Sequence, residues 1–192
     1  MEKKIKKISK QLNKLNKSFA LFKKTYYNSN IKNNYKKEQI MENNENEINI
    51  FDIAEYIIKR KQVKASNLKL NKLIYYCYAK YLVQTQGKKL ISNPVQAWMY
   101  GPVFPDLYHA LKKNKNNLIT EIPNTSNIIL NFQQMKIINY VICKYGDYDP
   151  FVLMDKTHNE DPWYDTFPAH KLYSRRCISD EKILKYYSKN PV

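Results

Sequence analysis

From Ile5 to Phe22 the apolar side chains recur in alternating steps of three and four: Ile5, Ile8, Leu12, Leu15, Phe19 and Phe22. Steps of that size put side chains on one stripe of a helix. The alternation makes a heptad seam, with Ile5, Leu12 and Phe19 at one position and Ile8, Leu15 and Phe22 at the other. Lysine fills most of the remaining surface, so the spacing predicts a Lys-rich amphipathic helix over residues 1–27. So short a seam is marginal in water by itself. It needs a partner: the chain's own domain, a twin subunit, a different protein, or, through its lysines, nucleic acid or an anionic membrane surface. The pattern leaves these open.

Residues 28–47 lose the periodicity and become rich in Asn, Lys and Glu, which reads as a linker. A globular domain is expected over 48–192. Asn49 can cap its first helix, with Asp52 reaching back to it, and Phe51, Ala54, Ile57 and Ile58 facing inward. Ser66 caps a long helix to about Gln86, with Leu70, Leu73, Ile74, Cys77, Tyr81 and Leu82 on one face. Gly87 follows in the position that ends a helix. Lys69, Lys72 and Lys80 fall near the outer face and read as solvated. Val95–Tyr100 alternates as a short strand, and Ile119–Ile122 and Ile128–Leu130 read as a two-stranded ribbon. Asn131 and Gln134 form a capping box for a helix to Tyr145, with Met135, Ile138, Val141 and Ile142 inward. Asp149-Pro150 and Asp161-Pro162 each have a capping acid before a proline, and Ser179 caps a last helix to Lys189. The fold class is mostly α (α+β): a compact helical domain with a small β ribbon, preceded by the N-terminal amphipathic helix.

The stretch Ala97–Leu111 organises this domain. It sets Trp98, Tyr100, Phe104 and Tyr108 around the Gly101-Pro102 step. Gly101 can take backbone angles closed to other residues, and Pro102 and Pro105 fix φ and remove two backbone donors. The segment is expected to turn from strand to helix at Gly101-Pro102, with Pro105 at the first helical position. Tyr100, Val103 and Phe104 flank that turn and are expected to be partly exposed.

Composition narrows the function. A hydrophobic content of 43% with seventeen tyrosines is enough for a real core, so disorder throughout is excluded. No apolar run is long enough to span a membrane. A Lys-rich start without an apolar stretch is not a secretory signal, so the expected location is the cytoplasm. The net charge is +16. Residues 1–46 hold twelve Lys against four Glu, and residues 47–192 hold twenty-one Lys and Arg against thirteen acids, +8 for each part. Asn and Lys are over-used throughout, which weakens any inference from charge to nucleic acid. Cys77, Cys143 and Cys177 have no metal-ligand spacing, and Cys77 and Cys143 read as small core residues.

Candidate chemistry is sparse. His158 with Glu160 and Asp161, or His109 with Asp106, could do acid–base or metal work, but neither sequence pattern converges three ligands or pairs a base with a pocket. Asp161 is better read as a helix cap and Asp106 as first-turn charge compensation. His158 is expected to bond backbone in a packed junction, and Trp98 and Trp163 to be buried packing residues. No catalytic, cofactor or metal residue is assigned, and the chain is not expected to be an enzyme.

Several pieces occur together in a known order. They are Asp52-Ile-Ala-Glu-Tyr-Ile, Asn67-Leu-Lys-Leu-Asn-Lys-Leu-Ile-Tyr-Tyr76, Gly87-Lys-Lys-Leu, Ala97-Trp-Met-Tyr-Gly-Pro-Val103, Pro105-Asp-Leu-Tyr108 and Thr157-His-Asn-Glu-Asp-Pro-Trp163. On these, residues about 51–187 resemble the Panacea domain, the SocA-like and GepA-like antitoxin family. The pattern is weak between Trp163 and Ser179. The resemblance implies a mostly helical, non-enzymatic protein that neutralises a cognate protein toxin by direct binding. Such antitoxins are usually encoded beside the toxin, often on phages or other mobile elements, and a few act as adaptors that hand a toxin to a protease. The residues expected to touch the partner are Trp98, Tyr100, Gly101, Pro102, Val103, Phe104, Tyr108, His158 and Trp163, with the 1–27 seam adding toxin contact or self-association. A nucleic-acid-binding regulator is the alternative, without a helix-turn-helix or RNA-binding aromatic motif behind it.

Overall fold

A computed structural model describes residues 48–192 except 127–129, 169, 170 and 172, and except the side chain of Arg60. The seam Ile5–Phe22, the 28–47 linker and Ile128 of the expected ribbon lie outside the described residues.

The described residues form seven α-helices and one two-stranded sheet. Helix α1 is Ile50–Glu55, continued by a π-helical turn over Tyr56–Arg60. Asn49 caps it by accepting the Phe51 amide at 3.1 Å. Asp52 does not reach back to Asn49. It is buried, and accepts the Ser126 amide at 2.8 Å and the Ser126 hydroxyl. Asn49 also donates to the Asn124 carbonyl at 3.1 Å. The loop around Asn124–Ser126 is thereby strapped to the start of α1. Among the described residues Ile119–Ile122 has no strand partner and runs as loop, held by the Ile119 amide on the Ala65 carbonyl at 2.9 Å.

Helix α2, Asn67–Gln84, is the axis of the domain. Thirteen of its eighteen residues are buried, so it has no solvated face. The Ser66 hydroxyl caps it, and Gly87 ends it at φ +107°, its amide returning to the Leu82 carbonyl at 2.8 Å. The expected outer face of lysines is corrected here. Lys72 is 0% exposed and Lys69 is buried, while Lys80 is half-buried with Nζ 3.7 Å from the Tyr140 ring centre. The reason is enclosure: α2 packs against a helix or strand on every side.

The ribbon lies elsewhere than expected. Strands β1 (Gln96–Trp98) and β2 (Gly101–Val103) pair antiparallel in the register Gln96↔Val103, Ala97↔Pro102, Trp98↔Gly101. The chain therefore reverses at Met99–Tyr100, and the Gly-Pro step lies within the second strand. Proline suits an edge strand, where no partner needs its missing N–H. The other edge is extended by an isolated bridge, Gln96↔Cys177, with the Ile178 amide on the Val95 carbonyl at 2.8 Å.

Helix α3, Pro105–Leu111, follows with proline at its first position, then a 3₁₀ turn over Lys112–Asn114. Helix α4, Phe132–Tyr145, starts on the full Asn131/Gln134 capping box and buries Ile137, Ile138 and Val141. Cys143, expected in the core, is exposed on α4, whereas Cys77 is buried. Helix α5 is Pro150–His158 after Asp149, and α7 is Asp180–Lys189 after Ser179. Between them lies α6, Asp161–Tyr164, whose N-cap position falls on Glu160, not Asp161, with no side chain capping it. Asp161 is its first residue and offsets the helix dipole. Glu160 is free of the capping task because its carboxyl points into the core.

Candidate partner-binding face

The hairpin is fixed through its backbone by side chains from other elements. On β2, the Lys72 ammonium donates to the Pro102 carbonyl at 2.8 Å, and the Asn71 side chain accepts the Phe104 amide at 3.0 Å. Asn71 is itself oriented by Asn67, its amide donating to Asn67 Oδ1 at 2.8 Å. On β1, the Trp163 indole donates to the Trp98 carbonyl at 2.8 Å. His158 bonds the backbone of Met99. Two helical segments, α2 and the α5–α6 junction, thus grip the same seven-residue stretch, Trp98–Phe104. This meeting requires Gly101. Its φ is +92°, and a Cβ there would lie 2.7 Å from both Lys72 Cε and Thr157 Oγ1.

Aromatic rings continue the grip outward. His158 stacks on Trp163 with centres 3.9 Å apart, and Trp163 stacks on Phe167 at 4.9 Å. Trp98 meets Tyr108 edge-on at 4.9 Å and lies 5.9 Å from the His109 ring. The expectations for individual residues divide. Tyr100 stands 55% exposed with Met99 at 44%, and Trp98, Tyr108 and His158 are half-buried. Gly101, Pro102, Val103 and Phe104 are buried, so the expected exposure of Val103 and Phe104 is corrected. They face α2, because placing the reversal at Met99–Tyr100 turns the second strand inward. Trp163 is buried.

Electrostatics set this junction apart. Lys72 is buried with no carboxylate against it among the described residues, and loss of hydration alone lowers its ammonium to about 7. His158 is also held below its ordinary value, first by burial and then by the Lys72 charge, against Asp155 and the Met99 backbone. Its Nε2 is buried and has no hydrogen-bond partner among the described residues.

A second buried cluster lies beyond the junction. The Glu160 carboxyl accepts the Tyr187 hydroxyl at 2.5 Å and the Tyr76 hydroxyl at 3.3 Å, with Lys156 Nζ at 3.6 Å. Burial pushes Glu160 above its ordinary value against the pull of Tyr187 and Lys156. It pushes the Tyr76 and Tyr187 hydroxyls well up. Glu160 is thus a satisfied core group at the back of a cleft of about 440 Å³ that Tyr186, Lys189 and Val192 also line. Asp106 accepts Asn93 at 2.6 Å, and His109 rests on Trp98. Among the described residues no three His, Cys, Asp or Glu side chains gather as a metal site requires. No described helix is long and apolar enough to cross a membrane.

Sequence reading missed the burial of Lys72 and the Tyr76–Glu160–Tyr187 network. A signal for the first exists. The neighbours of Lys72 three, four and seven places on are Tyr75, Tyr76 and Ala79, and α2 contains no acid. That is an apolar stripe, not a solvated one.

Comparison with known proteins bears on the same region. Residues 70–164 match the family described as "Antitoxin SocA-like, Panacea domain". A protein named Antitoxin SocA from Caulobacter vibrioides (strain NA1000 / CB15N) is 36% identical over 52 residues. That match spans 27% of this chain and 27% of the relative's length. No solved structure matches. The matched residues enclose both the hairpin and the His158–Trp163 junction, and over them the chain is similar to the SocA-like Panacea domain family.

Proposed function

We propose that this chain is the antitoxin of a toxin–antitoxin pair and neutralises its toxin by direct contact. The contact face is the hairpin tip, Met99 and Tyr100, with Trp98, Tyr108 and His158 around it. One observation carries this reading. Two large side chains stand exposed on a reversal whose backbone is pinned at Trp98, Met99, Pro102 and Phe104 by buried or half-buried groups. An anchor already held in its bound geometry loses little freedom on binding. Aromatic residues and Met are also enriched in the cores of interfaces. A stable complex needs roughly 1,200–2,000 Å² in total, which a tip and its surrounding face supply with adjoining surface.

Binding fits better than catalysis. Lys72 and Glu160 are enclosed, and His158 is spent on backbone and ring contacts. The name of the family and of the relative support the antitoxin role. The test is co-expression with the product of the neighbouring gene. Growth is expected to be arrested by that product alone and restored by this chain. Tyr100→Ala is expected to weaken the complex by about 2 kcal/mol, roughly thirty-fold, with melting unchanged. Toxicity that persists beside the wild-type chain overturns the reading. Full affinity in a Tyr100→Ala, Met99→Ala double variant moves the contact to another face.

A further inference from the structure

Lys72 from α2 and His158 from α5 both hold the hairpin through backbone: Lys72 at Pro102 on β2, His158 at Met99 in the turn. Both are basic groups with little water around them. Neither has a carboxylate bonded to it among the described residues. Asp155 is the acid felt by His158, from the same helix. The other charged groups nearby are already engaged. Glu160 accepts Tyr76 and Tyr187 and pairs with Lys156, and Asp147 and Asp149 act on Lys69. The neutral His158 leaves Nε2 as an acceptor with no partner among the described residues. A proton there creates a buried donor with nothing to receive it, which costs more, and sets a second positive charge near Lys72.

We infer that Lys72 and His158 form a proton-operated clasp on the hairpin. With His158 neutral the tip is held against the α5–α6 junction. When both groups carry protons the clasp is strained and the tip is released, so Met99 and Tyr100 lose their fixed presentation. Weaker partner binding in acid would follow, and that consequence alone rests on the antitoxin reading.

The molecule carries its own reporter, because the chain's two tryptophans, Trp98 and Trp163, both lie at the clasp. His109 lies against Trp98, so His109→Asn is included in every sample. The experiment follows tryptophan emission of the full chain from pH 8 to 5, with no partner present. Proton NMR of the imidazoles runs in parallel, the His158 signal being assigned by its loss in His158→Gln. Three results are expected. His158 titrates below the free-imidazole value of about 6.5. Emission shifts to the red over the same pH range, and His158→Gln abolishes that shift. In Lys72→Gln, which keeps a donor for the Pro102 carbonyl without the charge, the His158 midpoint moves up. If Lys72→Gln does not fold, the wild-type titration and the emission of His158→Gln still decide. A wild-type midpoint at or above the free value, emission flat to pH 5, or an unchanged midpoint in Lys72→Gln overturns the clasp. Failure of this test leaves the antitoxin reading standing, since co-expression tests that separately.

Discussion

At the scale of single residues, Lys72 is the most consequential position. It lies in α2 among Leu70, Leu73, Tyr75 and Tyr76, and its ammonium has one carbonyl to donate to. Burial lowers it from 10.5 to about 7. The sign follows from proton counting. Between about 7 and 10.5 the unfolded chain holds the Lys72 proton and the folded chain has lost it. Stability therefore rises with pH across that window and levels off below about 7, where both states are protonated. Lys72→Met removes the proton but keeps most of the bulk. Denaturant midpoints at pH 6.5, 8 and 9.5, short of the tyrosine range, are expected to climb for the wild type relative to Lys72→Met. A constant difference would mean that Lys72 does not titrate there. The sequence shows Lys72 but not this property. A lysine's pKa depends on what surrounds the helix, and helical periodicity carries only one helix at a time.

At the scale of elements, legibility followed how local the cause was. The caps at Ser66, Asn131, Asp149 and Ser179 form as read, because cap and amide lie within three residues. Asp52 and Glu160 broke the pattern because their partners, Ser126 and Tyr187 with Tyr76, are distant in sequence. The turn expected at Gly101-Pro102, from strand to helix, lies instead at Met99–Tyr100 between two paired strands, for the same reason. Gly101-Pro102 has the composition of a turn, yet its backbone is claimed by Lys72 from thirty residues away. A sharp prediction belongs here. In Gly101→Ala the new Cβ meets Lys72 Cε and Thr157 Oγ1 at 2.7 Å, on a backbone at φ +92°. Overpacking and the left-handed strain together are expected to cost about 2–4 kcal/mol. Chemical denaturation measures it. A loss under about 0.5 kcal/mol, the range of an ordinary surface change, would show that the hairpin is not clamped at this point.

At the scale of the whole molecule, the open question is what a charge of +16 is for. Half of the excess lies in residues 1–46, and half is spread over residues 47–192. Two readings divide over salt. A protein held on nucleic acid by six to ten phosphate contacts loses about 10³–10⁵ in affinity between roughly 50 and 200 mM salt. A protein partner anchored by Met99 and Tyr100 on a pinned hairpin binds through apolar burial, which salt does not screen. The expected outcome is therefore a toxin complex whose affinity changes less than ten-fold over that salt range. Any retention on duplex DNA or RNA at low salt is expected to fall steeply, and to fall again when residues 1–46 are removed, which lowers the net charge from +16 to +8. Titration calorimetry with the toxin and anisotropy with a labelled duplex, each at three salt concentrations, measure both slopes. A steep slope for the toxin would assign the contact to the lysines instead of the hairpin. A duplex complex that falls with that steep slope yet is still tight at about 200 mM salt would make the basic charge the working surface and the aromatic reversal merely structural.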